Sequence, residues 1–393
     1  MSISEKIRKY MSQSSWTRKM FEKGAMLKAQ YGTDNVYDFS LGNPNVPPPD
    51  KFSRVLGDTV KACGPGVHGY MPQAGFSYVR KSIADYLTQE QEVKVEAEEV
   101  LMTCGAAGAL NVILKALLDP GDEVLIPIPY FSEYRFYVDN HGGNVVFVPT
   151  LNDFSLDLDA MEKSLSKKTK AVLINSPNNP TGQIYSQESL AALGTLLTEK
   201  SKSFGRTLYL ISDEPYRKIV FENNKTPSIF KAYPNSLIAT SYSKDLSLAG
   251  ERIGFAAINP SAEFKEDLVA ALNLTNRILG FVNAPALMQR VVSHLQGLSV
   301  DIAIYERKRN LLCEGLADAG YDFITPPGTF YLFPKTPIED DVQFVAELQE
   351  EQILVVPGSG FAGPGHFRMA FCVEDRVIEN ALPGFKRAMA KYR

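Results

Sequence analysis

Lys244 lies in SYSKDLSLAGERIGF (241–255), between two apolar β-branched runs, SLIAT (236–240) and RIGFAAIN (252–259). An amine at the mouth of a buried strand loses hydration, which lowers its pKa and leaves a neutral nucleophile for a carbonyl carbon. Ser241, Ser243 and Ser247 place hydroxyls around it, and Arg252 follows eight positions later. The cluster reads either as an anion site with a reactive amine or as a solvated polar loop.

Three other stretches carry residue types suited to ligand chemistry. TCGAAGALN (103–111) joins the strand VLMT to a helical pattern through small residues. The backbone N–H groups of Gly105, Ala106 and Ala107 can therefore approach an anion at the positive helix end, although a tight turn that needs small residues for packing reads equally well. NSPNNPTG (175–182) and SDEPYR (212–217) each close an apolar strand. That is the edge at which open α/β sheets bind ligands, and it offers the Asn179 amide and the Asp213 carboxylate. A carboxylate at a buried strand end is costly unless paired, and no neighbour in sequence supplies the cation, so a bound cofactor cation is an alternative partner. GSGFAG (358–363) satisfies GxGxxG, but Pro364-Gly365 and the strand-like HFRMAF follow where a dinucleotide site needs a helix,. It reads as a turn between strands.

The elements that must position these residues show a regular rhythm from about residue 98. Apolar runs at 100–103, 123–128, 144–150, 171–176, 207–213, 236–241 and 253–259 alternate with helical patterns, as in a mostly parallel sheet buried on both faces,. Only the lysine loop separates the last two runs, too short for a crossover helix, so the final strand should run antiparallel. The fold class is α/β: a seven-stranded, mostly parallel mixed sheet between helices, with a second, smaller α+β domain. Residues 5–30 read as one or two amphipathic helices with Trp16, Met20, Phe21 and Leu27 on one stripe. A proline-rich connector follows, and the length of 393 residues exceeds what one core usually holds,. The expected division is a large domain at 46–284 and a small domain from 1–45 plus 285–393.

Composition narrows the function classes. With 41 Lys and Arg against 45 Asp and Glu, the net charge is −4. No basic face for nucleic acid is expected, and a DNA-binding regulator is disfavoured. No 18-residue apolar run or signal-type segment is present, so neither membrane insertion nor export is expected,. Cys63, Cys104, Cys313 and Cys372 lie far apart, as befits reduced thiols in the cytoplasm; neither CxxC nor HExxH occurs, and no metal site is expected,.

The ordered set NNPTG, SDEPY and SxSK, with an arginine eight residues after the lysine, resembles the fold-type I pyridoxal-phosphate enzymes. More narrowly, it is similar to the aspartate/tyrosine aminotransferase-like class I/II family, over about residues 40–370. The resemblance implies an aminotransferase that moves an amino group between an L-amino acid and a 2-oxo acid by a ping-pong route. Its cofactor would be pyridoxal 5′-phosphate, held as a Schiff base on Lys244. It further implies that Asp213 pairs with the pyridinium nitrogen, that Tyr216 and Asn179 bond the phenolate oxygen, and that Phe131 stacks on the ring. The phosphate would lie on Gly105, Ala106, Ala107, Ser241, Ser243, Arg252 and, across a homodimer interface, Tyr70. Arg368 and the backbone of Gly42 would take the substrate α-carboxylate, with Asn179 beside them. A C–S β-lyase on the same scaffold is the alternative.

Overall fold

The computed structural model describes the backbone of residues 3–12 and 16–393; the side chains at 12, 17–19 and 21, Phe21 among them, lie outside that description. In chain order the strands are β1 (Tyr37–Asp38), β2 (Val100–Thr103), β3 (Glu123–Ile128), β4 (Asn144–Pro149), β5 (Thr169–Asn175) and β6 (Tyr209–Asp213). There follow β7 (Ser236–Ser241), β8 (Gly254–Ile258), β9 (Tyr331–Leu332), β10 (Ile353–Leu354), β11 (Val356–Pro357) and β12 (Phe367–Ala370).

Strands β2 to β8 form one sheet in the order β2-β8-β7-β6-β5-β3-β4. Strand β8 is antiparallel to both its neighbours, and the remaining pairs are parallel. The reversal has the expected cause: residues 242–253 hold no helix beyond the 3-10 turn Ala249–Glu251, so the chain must double back,. The other six strands share one direction. Their carboxyl ends, including Thr103, Asn175, Asp213 and Ser241, therefore gather at one edge.

Burial at every position of β2, β6 and β8 matches their continuous apolar sequence,. Side chains alternate along β5: Val172 and Ile174 enter one core, Ala171 and Leu173 the opposite one,. Helix Gln187–Phe204 covers one face. Ser186 caps its first turn, the left-handed Gly205 (φ 66°) ends it, and Leu190, Leu193 and Leu197 are buried,.

A further core joins Met20 and Phe39 to Phe330, Phe344, Phe367 and Phe385. It underlies the three-stranded sheet β11-β12-β9 and the parallel pair β1-β10. Tyr216, Ile219 and Phe221, just beyond β6, reach into this core as well. Met288, Val291, Val292 and Leu295 still pack on the large sheet, whereas Val300 belongs to the other core. The packing thus changes hands at 295–300. Among the described residues no helix is long and apolar enough to cross a membrane.

Candidate active site

The carboxyl edge of the sheet opens into a cavity of about 720 Å³. Asn175, Asp213 and Ser241 enter it from the ends of β5, β6 and β7, and Lys244 follows three residues after Ser241. From the second core come Arg368, on β12, and Tyr331, on β9.

Lys244 donates a hydrogen bond from Nζ to the Gly42 carbonyl at 2.7 Å and lies 5.5 Å from the centre of the Phe330 ring. Burial is the main cause that pulls its pKa down to about 8; Cys372 opposes the shift, and Arg368 and Arg252 add to it. Because the folded value lies below the usual 10.5, the unfolded chain holds more protons between about pH 8 and 10.5. This group's contribution to stability therefore rises with pH across that window. In the cofactor-free protein, labelling of Lys244 by an aldehyde and borohydride should rise with a midpoint near pH 8. Peptide mapping across a pH series checks this, and a midpoint above 10 would show an ordinary lysine.

Asp213 is buried. Its Oδ2 accepts a hydrogen bond from the Tyr134 hydroxyl at 2.5 Å, while Oδ1 has no partner. Burial pushes the carboxyl up to about 7; the Tyr134 hydrogen bond pulls against that, and the Glu214 charge adds to it. A carboxylate oxygen this buried and unsatisfied suits a cationic N–H.

Arg252 stands against the start of helix Gly105–Leu117, whose preceding residue Cys104 makes no side-chain cap. The close approach needs glycine twice. Gly105 adopts φ +75°, and a Cβ there would lie 3.0 Å from the Arg252 Nη2. A Cβ on Gly254 would lie 2.3 Å from the Thr240 carbonyl and 2.9 Å from the Gly105 Cα. The guanidinium and the uncapped first turn thus form one positive corner.

Arg368 is buried between the rings of Tyr331 and Phe361, at 4.6 and 4.7 Å. It donates to the Ser40 carbonyl at 2.7 Å and to the Asn179 Oδ1 at 3.2 Å, and its Nε has no partner. No carboxylate of a described residue pairs with it. Because Asn179 accepts through Oδ1, its amide nitrogen is the end left to donate into the cavity.

The profile of the family described as "Aminotransferase class I and II" matches residues 34–385. The chain belongs to this aminotransferase family. It is 30% identical over 399 residues to the aspartate aminotransferase of Bacillus subtilis, covering 96% of this chain and 97% of that one. It is 32% identical over 361 residues to the aspartate/prephenate aminotransferase of Thermus thermophilus, with 90% of each chain covered. The crystal structure of an amino transferase from Eubacterium rectale matches with a TM-score of 0.97 at 39% identity over 100% of both chains.

In this aminotransferase the cavity gathers Gly42, Ala106, Ala107, Phe131, Asn179, Asp213, Tyr216, Ser241, Ser243, Lys244, Arg252 and Arg368. Gly105 stands just behind it, against Arg252. Tyr70 is not brought in: it is 93% exposed and does not line the cavity of its own chain. GSGFAG forms a 3-10 turn (Gly358–Phe361) between β11 and β12, as a turn reading requires.

Sequence reasoning missed two tyrosines. Tyr134 supplies the hydrogen bond to Asp213; its position three residues after Phe131, at the start of a short helix, was the available signal. Tyr331 lies under the Arg368 guanidinium, 3.2 Å from the Tyr216 hydroxyl. Its own hydroxyl would lie 1.9 Å from a Cβ on Gly42, so position 42 must be glycine for a steric reason,. No local pattern announces Tyr331.

Proposed function

We propose that this aminotransferase binds pyridoxal 5′-phosphate in the cavity and moves an amino group between an L-amino acid and a 2-oxo acid in two half-reactions. One observation carries the reading. Lys244, an amine with a lowered pKa, and Asp213, a buried carboxylate with an unsatisfied oxygen, face one space from neighbouring strands.

The donor set fits the cofactor. Its phosphate suits the corner made by Arg252, Ser241, Ser243 and the uncapped turn at Gly105, Ala106 and Ala107,. Its ring cation suits the free oxygen of Asp213, its phenolate oxygen suits Tyr216 and the Asn179 amide, and Phe131 offers a ring to stack on. When bound, the cofactor supplies the electron sink that makes the substrate Cα acidic.

The chain's own residues do the rest. Lys244 would hold the cofactor covalently, and the lowered pKa of its free amine suits it to carry the Cα proton,. Arg368 binds the α-carboxylate in a two-pronged fork, and the backbone of Gly42, packed against the Tyr331 hydroxyl, approaches the same group,. Tyr70, exposed on its own subunit, is assigned to the phosphate of a second copy in a homodimer. The four free cysteines suit a cytoplasmic enzyme,. Residues 46–284 would carry the cofactor, and most of the remainder would close over the substrate.

Incubation of the holoenzyme with an amino acid but no 2-oxo acid tests the function. One equivalent of keto acid per subunit is expected, followed by recovery when a second 2-oxo acid is added. Continuous release of pyruvate and ammonia from cystathionine would assign the site to C–S lysis instead.

A further inference from the structure

We propose that Glu133 sets the side-chain specificity of the transamination, rejecting a second carboxylate and accepting substrates whose side chain carries a hydrogen-bond donor. The inference rests on the reading that Arg368 takes the α-carboxylate.

Glu133 immediately precedes helix Tyr134–Asn140 and lines the same cavity as Lys244 and Arg368. Its carboxylate takes no hydrogen bond from a described residue. Burial raises its pKa, and the Arg135 charge opposes that. The Arg135 guanidinium lies over the Phe136 ring at 4.4 Å and does not line the cavity. Among the described residues the lining cations are Lys244, Arg252 and Arg368, and each is already assigned to the cofactor or the α-carboxylate. Leu110, Phe131, Tyr137 and Phe361 make much of the remaining wall.

A second carboxylate, as on aspartate or glutamate, would therefore enter a partly dehydrated, largely aromatic space that, whenever Glu133 is ionised, holds a charge of its own sign. Like charges repel strongly there because the surroundings screen them poorly. An ammonium, amide, phenol or indole N–H meets an acceptor instead. Discrimination of this kind works through a built-in repulsion as much as through a favourable contact. It runs against simple transfer of substrate from the relatives named as aspartate aminotransferases.

The test is a panel of half-reactions on the holoenzyme, scored as kcat/KM for aspartate, glutamate, glutamine, tyrosine, lysine and leucine. The wild-type enzyme should favour the donor-bearing side chains over the two dicarboxylates by about ten-fold or more. Glu133→Gln should raise aspartate and glutamate by about ten-fold, lower lysine, and leave leucine unchanged. Preference for dicarboxylates in the wild type, unaltered by Glu133→Gln, overturns the inference and leaves the transaminase reading standing. An equal loss for all substrates, leucine included, makes Glu133 structural and also overturns it. If no amino acid converts the cofactor, the cavity reading falls and this inference falls with it.

Discussion

Lys244→Ala should lower turnover by about 10⁴-fold or more, since it removes the group proposed both as covalent anchor and as carrier of the Cα proton. The protein should still fold. The lysine contributes one hydrogen bond, to the Gly42 carbonyl, whose loss costs about 1 kcal/mol, and the amine sits in a space that disfavours its charge,. Cofactor should still bind without the covalent link, because Arg252 and Asp213 are untouched. Borohydride reduction followed by mass analysis separates these effects. Wild-type protein should carry the cofactor on the peptide containing Lys244, and the variant should release it on denaturation. A variant that remained covalently labelled would remove Lys244 from its assigned role.

Asp213→Asn should have opposite effects on the reaction and on the cofactor-free protein. In the holoenzyme the carboxylate is the only proposed partner for the ring cation, and breaking a buried charge pair costs about 3–5 kcal/mol, or roughly 10²–10⁴ in rate. Without cofactor the same carboxyl is a burden. Its pKa lies near 7 in the fold against 3.8 in an exposed chain, because burial disfavours the charge. A carboxyl with a raised folded value costs stability as pH climbs from about 4 to 7, and a shift of about three units corresponds to roughly 4 kcal/mol. The neutral amide avoids that cost and can still accept from Tyr134. Cofactor-free Asp213→Asn should therefore melt higher than wild type at pH 8, with the difference fading near pH 4. Equal melting at both pH values would show that Asp213 is not held in a charge-excluding site.

Much of the large sheet was legible before any coordinates. A continuous apolar run of five to seven residues must be covered on both faces, and the polar residue that ends it is driven to the sheet edge. Asp213 and the turn at Asn179 follow that rule, and so does the reversed final strand, since its connection is too short for a helix. The inter-body packing was less legible. Met288 and Leu295 fill the large core while Val300 joins the other, a change made by shape complementarity across helices, which leaves no local mark.

What the sequence alone determined was the chemical inventory: one lysine and one aspartate at strand ends, small residues before a helix, and arginines within reach of anions. Those signals are local, set by hydration and chain geometry over a few residues. Only the tertiary structure decided that Tyr134 holds Asp213 across 79 positions and that Lys244 reaches Gly42 across 202. It also decided that Arg368 meets Ser40 across 328 positions and rests on Tyr331. Contacts between such distant segments follow from how helices and strands remote in sequence pack together, and no short stretch of sequence encodes that packing.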